Sequence, residues 1–139
     1  MRAFLDTNVL VYAVDEADER RRAIARDLLA RGADGDGGGF VISTQVLSEF
    51  LVAVRRLEIP VGEDVALGIV RDLAASVEIH VPSVADIIGA AERAVREKIH
   101  HYDALIVQAA VSAGCDVLIT EDLQDGRRFD GVTVTDPFR

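Results

Sequence analysis

Short apolar runs alternate along this chain with longer segments in which apolar residues recur at helical spacing. Residues 3–5, 40–42 and 117–119 are apolar throughout, which is typical of strands that are covered on both faces of a parallel sheet. Residues 77–81 and 132–134 alternate between apolar and polar positions, which predicts two further strands. We expect the last of these to lie at an edge of the sheet.

Helical periodicity predicts amphipathic helices between these strands. The predicted helices cover residues 9–14, 17–31, 45–58, 63–75, 83 to about 97, and 103–113. The expected core stripes are Ala23, Ile24, Leu28 and Leu29 in the second helix and Val46, Phe50, Val54 and Leu57 in the third. Ser83 and Asp86 have the spacing of a capping box at the start of the fifth helix. The sixth is apolar nearly all round, so we expect it to be buried, and Gly114 ends it.

Strands that alternate with helices predict an α/β fold, here a three-layer α/β/α sandwich with a mainly parallel central sheet. The 139 residues suit one domain that covers residues 1–139. The glycine-rich segment 32–39 is interpreted as a flexible connector, because it lacks the terminal bidentate glutamate of a calcium-binding loop.

Composition narrows the possible functions. The chain has 24 acidic and 15 basic residues, which argues against a domain that coats nucleic acid electrostatically. An enzyme that acts on nucleic acid is still possible, because a metal ion can neutralise part of the excess charge. The single cysteine, Cys115, suits a reducing cytoplasm and is expected to be a small buried residue. No apolar run could span a membrane, and the N-terminal residues do not have the pattern of a signal peptide.

Four acidic residues lie beside apolar segments, each where a strand or helix begins or ends. They are Asp6, Glu49, Asp103 and Asp122. Asp6 and Asp122 follow predicted parallel strands, and ligand sites in such sheets lie beyond the carboxyl ends of the strands. Glu49 is in the first turns of a helix that leaves another strand, and Asp103 opens the buried helix, whose dipole favours an ionised carboxylate. We therefore expect the four carboxylates to converge.

A carboxylate cluster without histidine or cysteine suits Mg²⁺ or Mn²⁺. Such an ion polarises a phosphoryl oxygen and lowers the pKa of a bound water, as phosphodiester hydrolysis requires. Each residue alone also has an ordinary interpretation: Asp6 and Asp103 as helix caps, Glu49 as a solvated helix residue, and Asp122 as a turn residue. Four such coincidences are much less probable together than one shared metal site.

The motifs around these acids resemble those of PIN domains, specifically the VapC-type ribonuclease toxins of toxin–antitoxin pairs. The resemblance covers the whole chain and rests on residues 5–10 (LDTNVL), 43–49 (STQVLSE), 102–106 (YDALI), 118–123 (LITEDL) and the tail 126–138. It implies that Asp6, Glu49, Asp103 and Asp122 are the catalytic and metal-binding acids, with Asn8 and Thr120 as polar supports. The family pattern places an acid two positions after the threonine, which selects Asp122 over Glu121.

By this resemblance the chain is expected to be a cytoplasmic Mg²⁺- or Mn²⁺-dependent endoribonuclease that hydrolyses RNA, the toxin of a type II toxin–antitoxin system. The resemblance also implies a homodimer and an antitoxin partner whose segment fills the acidic groove, and no membrane association. Surplus apolar residues in the helix pair around Pro60 predict a groove for an antitoxin helix. Arg127 and Arg128 are candidates for phosphate contact.

Three alternative functions fit the sequence less well. A PIN-like fold could act as a non-catalytic protein-binding module, and a missing carboxylate would have supported this. A phosphoaspartyl phosphatase needs a second aspartate two residues after the first, where this chain has Asn8. A receiver domain needs a lysine after a late strand, whereas the single lysine, Lys98, precedes a helix.

Overall fold

One mixed sheet forms the centre of the molecule. The computed structural model describes residues 1–33 and 39–139. Its strands are β1 (Ala3–Leu5), β2 (Phe40–Ser43), β3 (Glu78–His80), β4 (Val117–Ile119), β5 (Arg128–Phe129) and β6 (Val132–Thr135). Their order is β3-β2-β1-β4-β6-β5, and every pairing is parallel except that of β5 with β6. The predicted α/β fold with a mainly parallel central sheet is confirmed.

Six helices flank this sheet in the described part of the chain. They are α1 (Thr7–Val14), α2 (Glu19–Ala33), α3 (Thr44–Arg56), α4 (Glu63–Ser76), α5 (Val84–Glu97) and α6 (His101–Ser112). The predicted capping box at Ser83 and Asp86 is present, and Gly114 has a φ of +70° after α6. α6 begins at His101 rather than at Asp103, so Asp103 lies within its first turn and is not the helix cap.

The core lies between the central strands and the helices. Phe4 of β1 and Leu118 of β4 are fully buried at the middle of the sheet. α6 contacts β2, β4 and β6, and it buries Ala104, Ile106, Val107, Ala109 and Ala110, as its uniformly apolar sequence predicted. Its small alanines allow the helix to lie close to the sheet. This packing fixes the position of the N-terminal end of α6, and therefore of Asp103.

The prediction that residues 132–134 form an edge strand is wrong. β6 lies between β4 and β5, and β5 occupies the edge. The two strands are joined at Asp130 and Gly131, whose φ values of 46° and 88° are those of a hairpin turn that favours an Asp-Gly pair. The two-residue β5 was too short to be recognised by periodicity.

Two predicted core positions are also wrong. Leu57 is 54% exposed, because it lies at the C-cap of α3, where the helical stripe ends. Ala23 is exposed in α2, and Ala25 is buried in its place beside Leu28 and Leu29. The reason is geometric, since Ala23 lies roughly 140° around the helix from Leu28 at 100° per residue.

Residues 34–38 lie outside the described part of the chain, so the interpretation of the segment 32–39 as a connector stays a prediction. None of the described helices is both long enough and apolar enough to cross a membrane. Cys115 is buried as expected, and burial raises the pKa of its thiol to about 11. Burial and the raised pKa both fit the packing role expected for this residue.

Candidate active site

Asp6 lies where β1 ends and α1 begins. Its backbone N–H donates to the Ile119 carbonyl at 3.0 Å, which joins the carboxyl ends of β1 and β4 at this residue. Its carboxylate accepts hydrogen bonds from the Thr7 backbone N–H and from the Thr120 hydroxyl, both at 2.7 Å. Asp6 is therefore the N-cap of α1 and is held at the edge of the sheet where β1 and β4 end.

The Asp6 carboxyl is only 5% exposed, and burial raises its pKa to about 7. The hydrogen bonds from Thr120 and Thr7 oppose this rise, whereas the negative charges of Asp122 and Glu49 add to it. Burial and the neighbouring negative charges disfavour the ionised form of Asp6, and a bound cation would offset both effects.

Glu49 lies in the second turn of α3 and faces the start of α1. One carboxylate oxygen accepts a hydrogen bond from the Thr7 hydroxyl at 2.9 Å, and the other accepts one from the Gln45 amide at 2.7 Å. The same amide also donates to the Tyr102 carbonyl in α6 at 3.3 Å. Gln45 therefore links Glu49 to the helix that carries Asp103.

Asp103 is half-buried in the first turn of α6. Burial raises the pKa of its carboxyl, and the negative charge of Asp122 is the next cause of the rise. Glu49 adds to the effect, while His100 opposes it. Asp103 is thus electrostatically coupled to two of the other predicted site residues.

Asp122 is held at the turn after β4 by the two predicted supports. Its backbone N–H donates to the Thr120 hydroxyl oxygen at 3.0 Å, and its carboxylate accepts from the Asn8 amide at 3.2 Å. That amide also donates to the Thr120 hydroxyl oxygen at 3.2 Å. Thr120 is fully buried and connects Asp6, Asn8 and Asp122.

The donor groups at this site are oxygen atoms of the kind that Mg²⁺ and Mn²⁺ prefer. The Asn8 Oδ1 and Gln45 Oε1 atoms are buried beside the carboxylates without a hydrogen-bond partner in the described structure. As the side chains stand, no three acidic, histidine or cysteine groups within residues 1–33 and 39–139 are close enough together to hold one ion. The donor chemistry and the concentrated negative charge fit such a metal, and closing the coordination shell requires side-chain movement.

The neighbouring acid, Glu121, turns away from this cluster. Its carboxylate accepts a hydrogen bond from the Tyr12 hydroxyl at 2.6 Å and lies 3.7 Å from the Arg21 Nε atom. Asp122 contacts Asn8 instead, so the two adjacent acids point to different partners. Tyr12 and Arg21 are distant from Glu121 in the sequence, so no local motif indicates these contacts.

A cleft of about 480 Å³ lies between α1 and α3, and Glu49 is the one of the four predicted site acids that lines it. Thr7, Asn8 and Glu49 line it on the side of the cluster, and its remaining lining includes Val11, Tyr12, Asp15, Val52, Leu57 and Glu121. Among the described residues that line this cleft, Arg56 alone is basic. The cleft therefore joins an acidic end to an apolar wall with one positive charge.

The PIN domain family model matches residues 3–131. The chain belongs to the PIN domain family. This confirms the family expected from the motifs around the four acids. No curated protein matches this PIN domain by sequence.

Solved structures of low sequence identity share the fold of this PIN domain. VapBC-1 from nontypeable Haemophilus influenzae has a TM-score of 0.68 at 18% identity, and the match covers 100% of both chains. A toxin–antitoxin complex from Klebsiella pneumoniae has a TM-score of 0.67 at 21% identity and 97% coverage of each chain. Mycobacterium tuberculosis VapC20, a toxin that cleaves the sarcin–ricin loop, has a TM-score of 0.67 at 19% identity, covering 84% of this chain and 86% of that one.

The two arginines predicted to contact phosphate have different surroundings in this PIN domain. Arg127 donates to the Glu97 carboxylate at 3.0 Å, and its guanidinium lies 4.5 Å from the centre of the Phe129 ring. Arg128 is exposed on the edge strand β5. Arg127 is thus already engaged in joining the β5 hairpin to the end of α5.

His80, Asp86 and Ser112 form a contact that superficially resembles a nucleophilic triad. Asp86 is at its centre and accepts a hydrogen bond from the Ser112 hydroxyl at 2.6 Å, while His80 Nε2 lies 3.0 Å from its other oxygen. These hydrogen bonds outweigh burial and lower the pKa of Asp86 to about 2. Because the serine donates to the aspartate and not to the histidine, the arrangement fastens α5 to α6 and β3.

Proposed function

We propose that this PIN domain is a Mg²⁺- or Mn²⁺-dependent endoribonuclease that hydrolyses RNA phosphodiester bonds, and that it acts as the toxin of a type II toxin–antitoxin system. The observation that carries the proposal is the buried Asp6, whose pKa is raised to about 7 beside Glu49 and Asp122. Such a cluster of acids is unfavourable in a purely structural role and favourable around a cation.

Each polar residue of the site has a distinct part in this proposal. Asp6, Glu49, Asp103 and Asp122 hold the ion, which when bound supplies positive charge to the scissile phosphate and lowers the pKa of water. Thr120 orients Asp6, and Asn8 orients Asp122. Thr7 and Gln45 hold the two oxygens of Glu49, so its carboxylate is positioned before substrate arrives.

RNA binding by an acidic protein requires local positive charge. The net charge of −9 repels RNA at a distance, so attraction must come from the metal and from individual arginines. Arg56 lines the cleft that contains Glu49, and its guanidinium can bind a phosphate through two parallel hydrogen bonds. In this proposal Arg56 contacts a phosphate next to the one that is cleaved.

The proposed protein partner is an antitoxin, in keeping with the toxin–antitoxin complex among the structural relatives. Leu51 of α3 and Leu67 of α4 are 37% and 40% exposed and line a hollow of about 230 Å³ between these helices. Both leucines are therefore surplus apolar residues of the helix pair around Pro60 that remain exposed. An amphipathic helix of the antitoxin is the occupant that such a surface accepts.

A homodimer in the cytoplasm is the proposed assembly and location. The exposed side of α5 carries Val84, Ile88, Ala91 and Val95 at spacings of four, three and four residues. Val84 and Val95 are 74% and 82% exposed. Apolar residues at this spacing form the seam of paired helices, so a second copy of this face is a suitable partner.

The second candidate function is that of a non-catalytic binding module. It is favoured by the finding that no three potential ligands in the described structure lie at coordinating separation. The two functions differ in their response to metal. We expect purified protein to cleave single-stranded RNA, to lose this activity in EDTA, and to recover it when Mg²⁺ or Mn²⁺ is restored; absence of cleavage under all three conditions would favour the binding module.

A further inference from the structure

Glu121 lies between two site residues in the sequence, but its side chain has a different hydrogen-bond partner from either of them. The Thr120 hydroxyl donates to the Asp6 carboxylate, and the Asp122 carboxylate accepts from the Asn8 amide. The Glu121 carboxylate instead accepts a hydrogen bond of 2.6 Å from the Tyr12 hydroxyl in α1. The turn after β4 is therefore fastened to α1 at a point directly beside Asp122.

The Tyr12 side chain is itself fixed from several directions. Its ring makes an edge contact with the Phe138 ring at a centroid distance of 4.9 Å. The Arg21 guanidinium lies 5.3 Å from the centre of the Tyr12 ring and donates to Asp18 at 2.9 Å. The Tyr12 hydroxyl that donates to Glu121 is therefore held in position by α1, α2 and the C-terminal segment.

Few other contacts restrain the position of Asp122. Its side chain is exposed and has one hydrogen bond, from Asn8 at 3.2 Å, and its backbone N–H donates to Thr120 at 3.0 Å. The hydrogen bond between Tyr12 and Glu121 is shorter than either and is charge-assisted, so it is the stronger restraint on this turn.

We propose that Tyr12 and Glu121 are positioning residues, and that their hydrogen bond holds the turn after β4 so that Asp122 faces the ion. This inference rests on the proposed metal-dependent function. Neither side chain is assigned to the metal or to the substrate, and both act through Asp122. The Tyr12 phenol has its pKa raised to about 12 by burial and by Glu121, so it remains a donor at every physiological pH.

The test compares Mn²⁺ binding by wild type, Tyr12→Phe, Glu121→Gln and Asp122→Ala, measured by electron paramagnetic resonance of the free ion. Tyr12→Phe keeps the ring against Phe138 and removes only the hydroxyl, and we expect about tenfold weaker binding, as is usual when a group that orients a ligand is lost. Glu121→Gln keeps an oxygen that accepts from Tyr12 but loses the negative charge that strengthens the hydrogen bond, so we expect a loss of Mn²⁺ affinity smaller than that of Tyr12→Phe. Ser76→Ala, which removes an exposed hydroxyl that donates to the Asp72 carbonyl in α4, is the control.

A double-mutant cycle separates positioning from general destabilisation. Tyr12→Phe should cause no further loss of Mn²⁺ affinity in an Asp122→Ala background, because the hydrogen bond acts through Asp122. Equal losses in the two backgrounds, or wild-type affinity for Tyr12→Phe alone, would overturn the inference.

A measurement on the metal-free protein keeps this inference separate from the proposed function. Hydrogen exchange of the Asp122 backbone N–H should be faster in Tyr12→Phe than in wild type and unchanged in Ser76→Ala. If wild type neither binds Mn²⁺ nor cleaves RNA, the proposed function fails. If exchange at Asp122 does not respond to Tyr12→Phe, the positioning role fails, whatever the metal result.

Discussion

The Thr120 hydroxyl donates a hydrogen bond of 2.7 Å to the Asp6 carboxylate, which joins the ends of β4 and β1 inside the site. Because Thr120 is fully buried, no water can replace it as the donor without a change in packing. The hydrogen bond therefore stabilises both the fold at this edge and the ionised form of Asp6.

Replacing Thr120 by valine should destabilise the protein at pH 8 by about 1–3 kcal/mol, because the ionised Asp6 loses a buried hydrogen bond. Thr120→Ser keeps the hydroxyl and is the control. Urea unfolding at pH 8 measures both free energies, and equal stability of the valine and serine variants would show that the hydrogen bond contributes nothing.

The stability of the metal-free protein should fall as pH rises from about 4 to about 7. The folded state raises the pKa of Asp6 from 3.8 to about 7, so it binds a proton that the unfolded chain has already released. This stabilisation is complete below pH 4 and is lost as pH passes through 7, with an upper bound of roughly 4 kcal/mol. The raised pKa of Asp103 acts in the same direction.

Urea unfolding in EDTA between pH 5 and pH 8 measures this dependence. Asp6→Asn cannot titrate at this position and should show a much shallower slope. A wild-type slope that Asp6→Asn leaves unchanged would assign the pH dependence to other groups.

A charge at Leu67 should weaken antitoxin binding without lowering nuclease activity, because Leu67 lines the hollow between α3 and α4. Val65→Glu is the matched control, since Val65 is exposed on the same helix but lies roughly 200° around it. Affinity for the proposed antitoxin can be measured by calorimetry. If Leu67→Glu and Val65→Glu bind equally well, the groove lies elsewhere.

Arg56→Ala should lower the salt dependence of RNA affinity by about 0.7 in the slope of log K against log salt, the value for one phosphate contact on a single strand. Ca²⁺ replaces Mg²⁺ in this titration to suppress cleavage. Arg128→Ala is the control, because Arg128 is exposed on the edge strand and does not line the cleft beside Glu49. A lower slope for Arg128→Ala together with a wild-type slope for Arg56→Ala would instead assign the phosphate contact to the Arg127–Arg128 pair.

Much of the fold could be predicted from the sequence because burial on both faces leaves an unambiguous pattern. The uniformly apolar runs at 3–5 and 117–119 identified β1 and β4, and with them the edge at which Asp6 and Asp122 lie. β5 could not be found in this way, because two residues are too few to show an alternation of apolar and polar positions. The Asp130–Gly131 pair was nevertheless a usable hairpin signal.

The acids of the candidate site and the supports next to them in the sequence could be selected from local context, but the more distant supports could not. Asn8 and Thr120 lie close in sequence to Asp6 and Asp122, so motifs include them. The contacts of Tyr12 with Glu121 and of Gln45 with Tyr102 join residues far apart in the chain. Only tertiary packing brings such pairs together, so no pattern along the sequence indicates them.

The central claim is that the acidic cluster is a catalytic metal site, and RNA cleavage by acid-to-amide variants tests it most directly. With Mg²⁺ or Mn²⁺ present, Asp6→Asn and Asp103→Asn should lose cleavage by at least about 100-fold while remaining folded, because each removes a ligand of the ion. The metal-free variants should be as stable as wild type or more stable, since like charges are removed. Asp64→Asn, at an exposed acid in the first turn of α4, should cleave as wild type does. Cleavage by Asp6→Asn or Asp103→Asn at the wild-type rate would contradict the assignment.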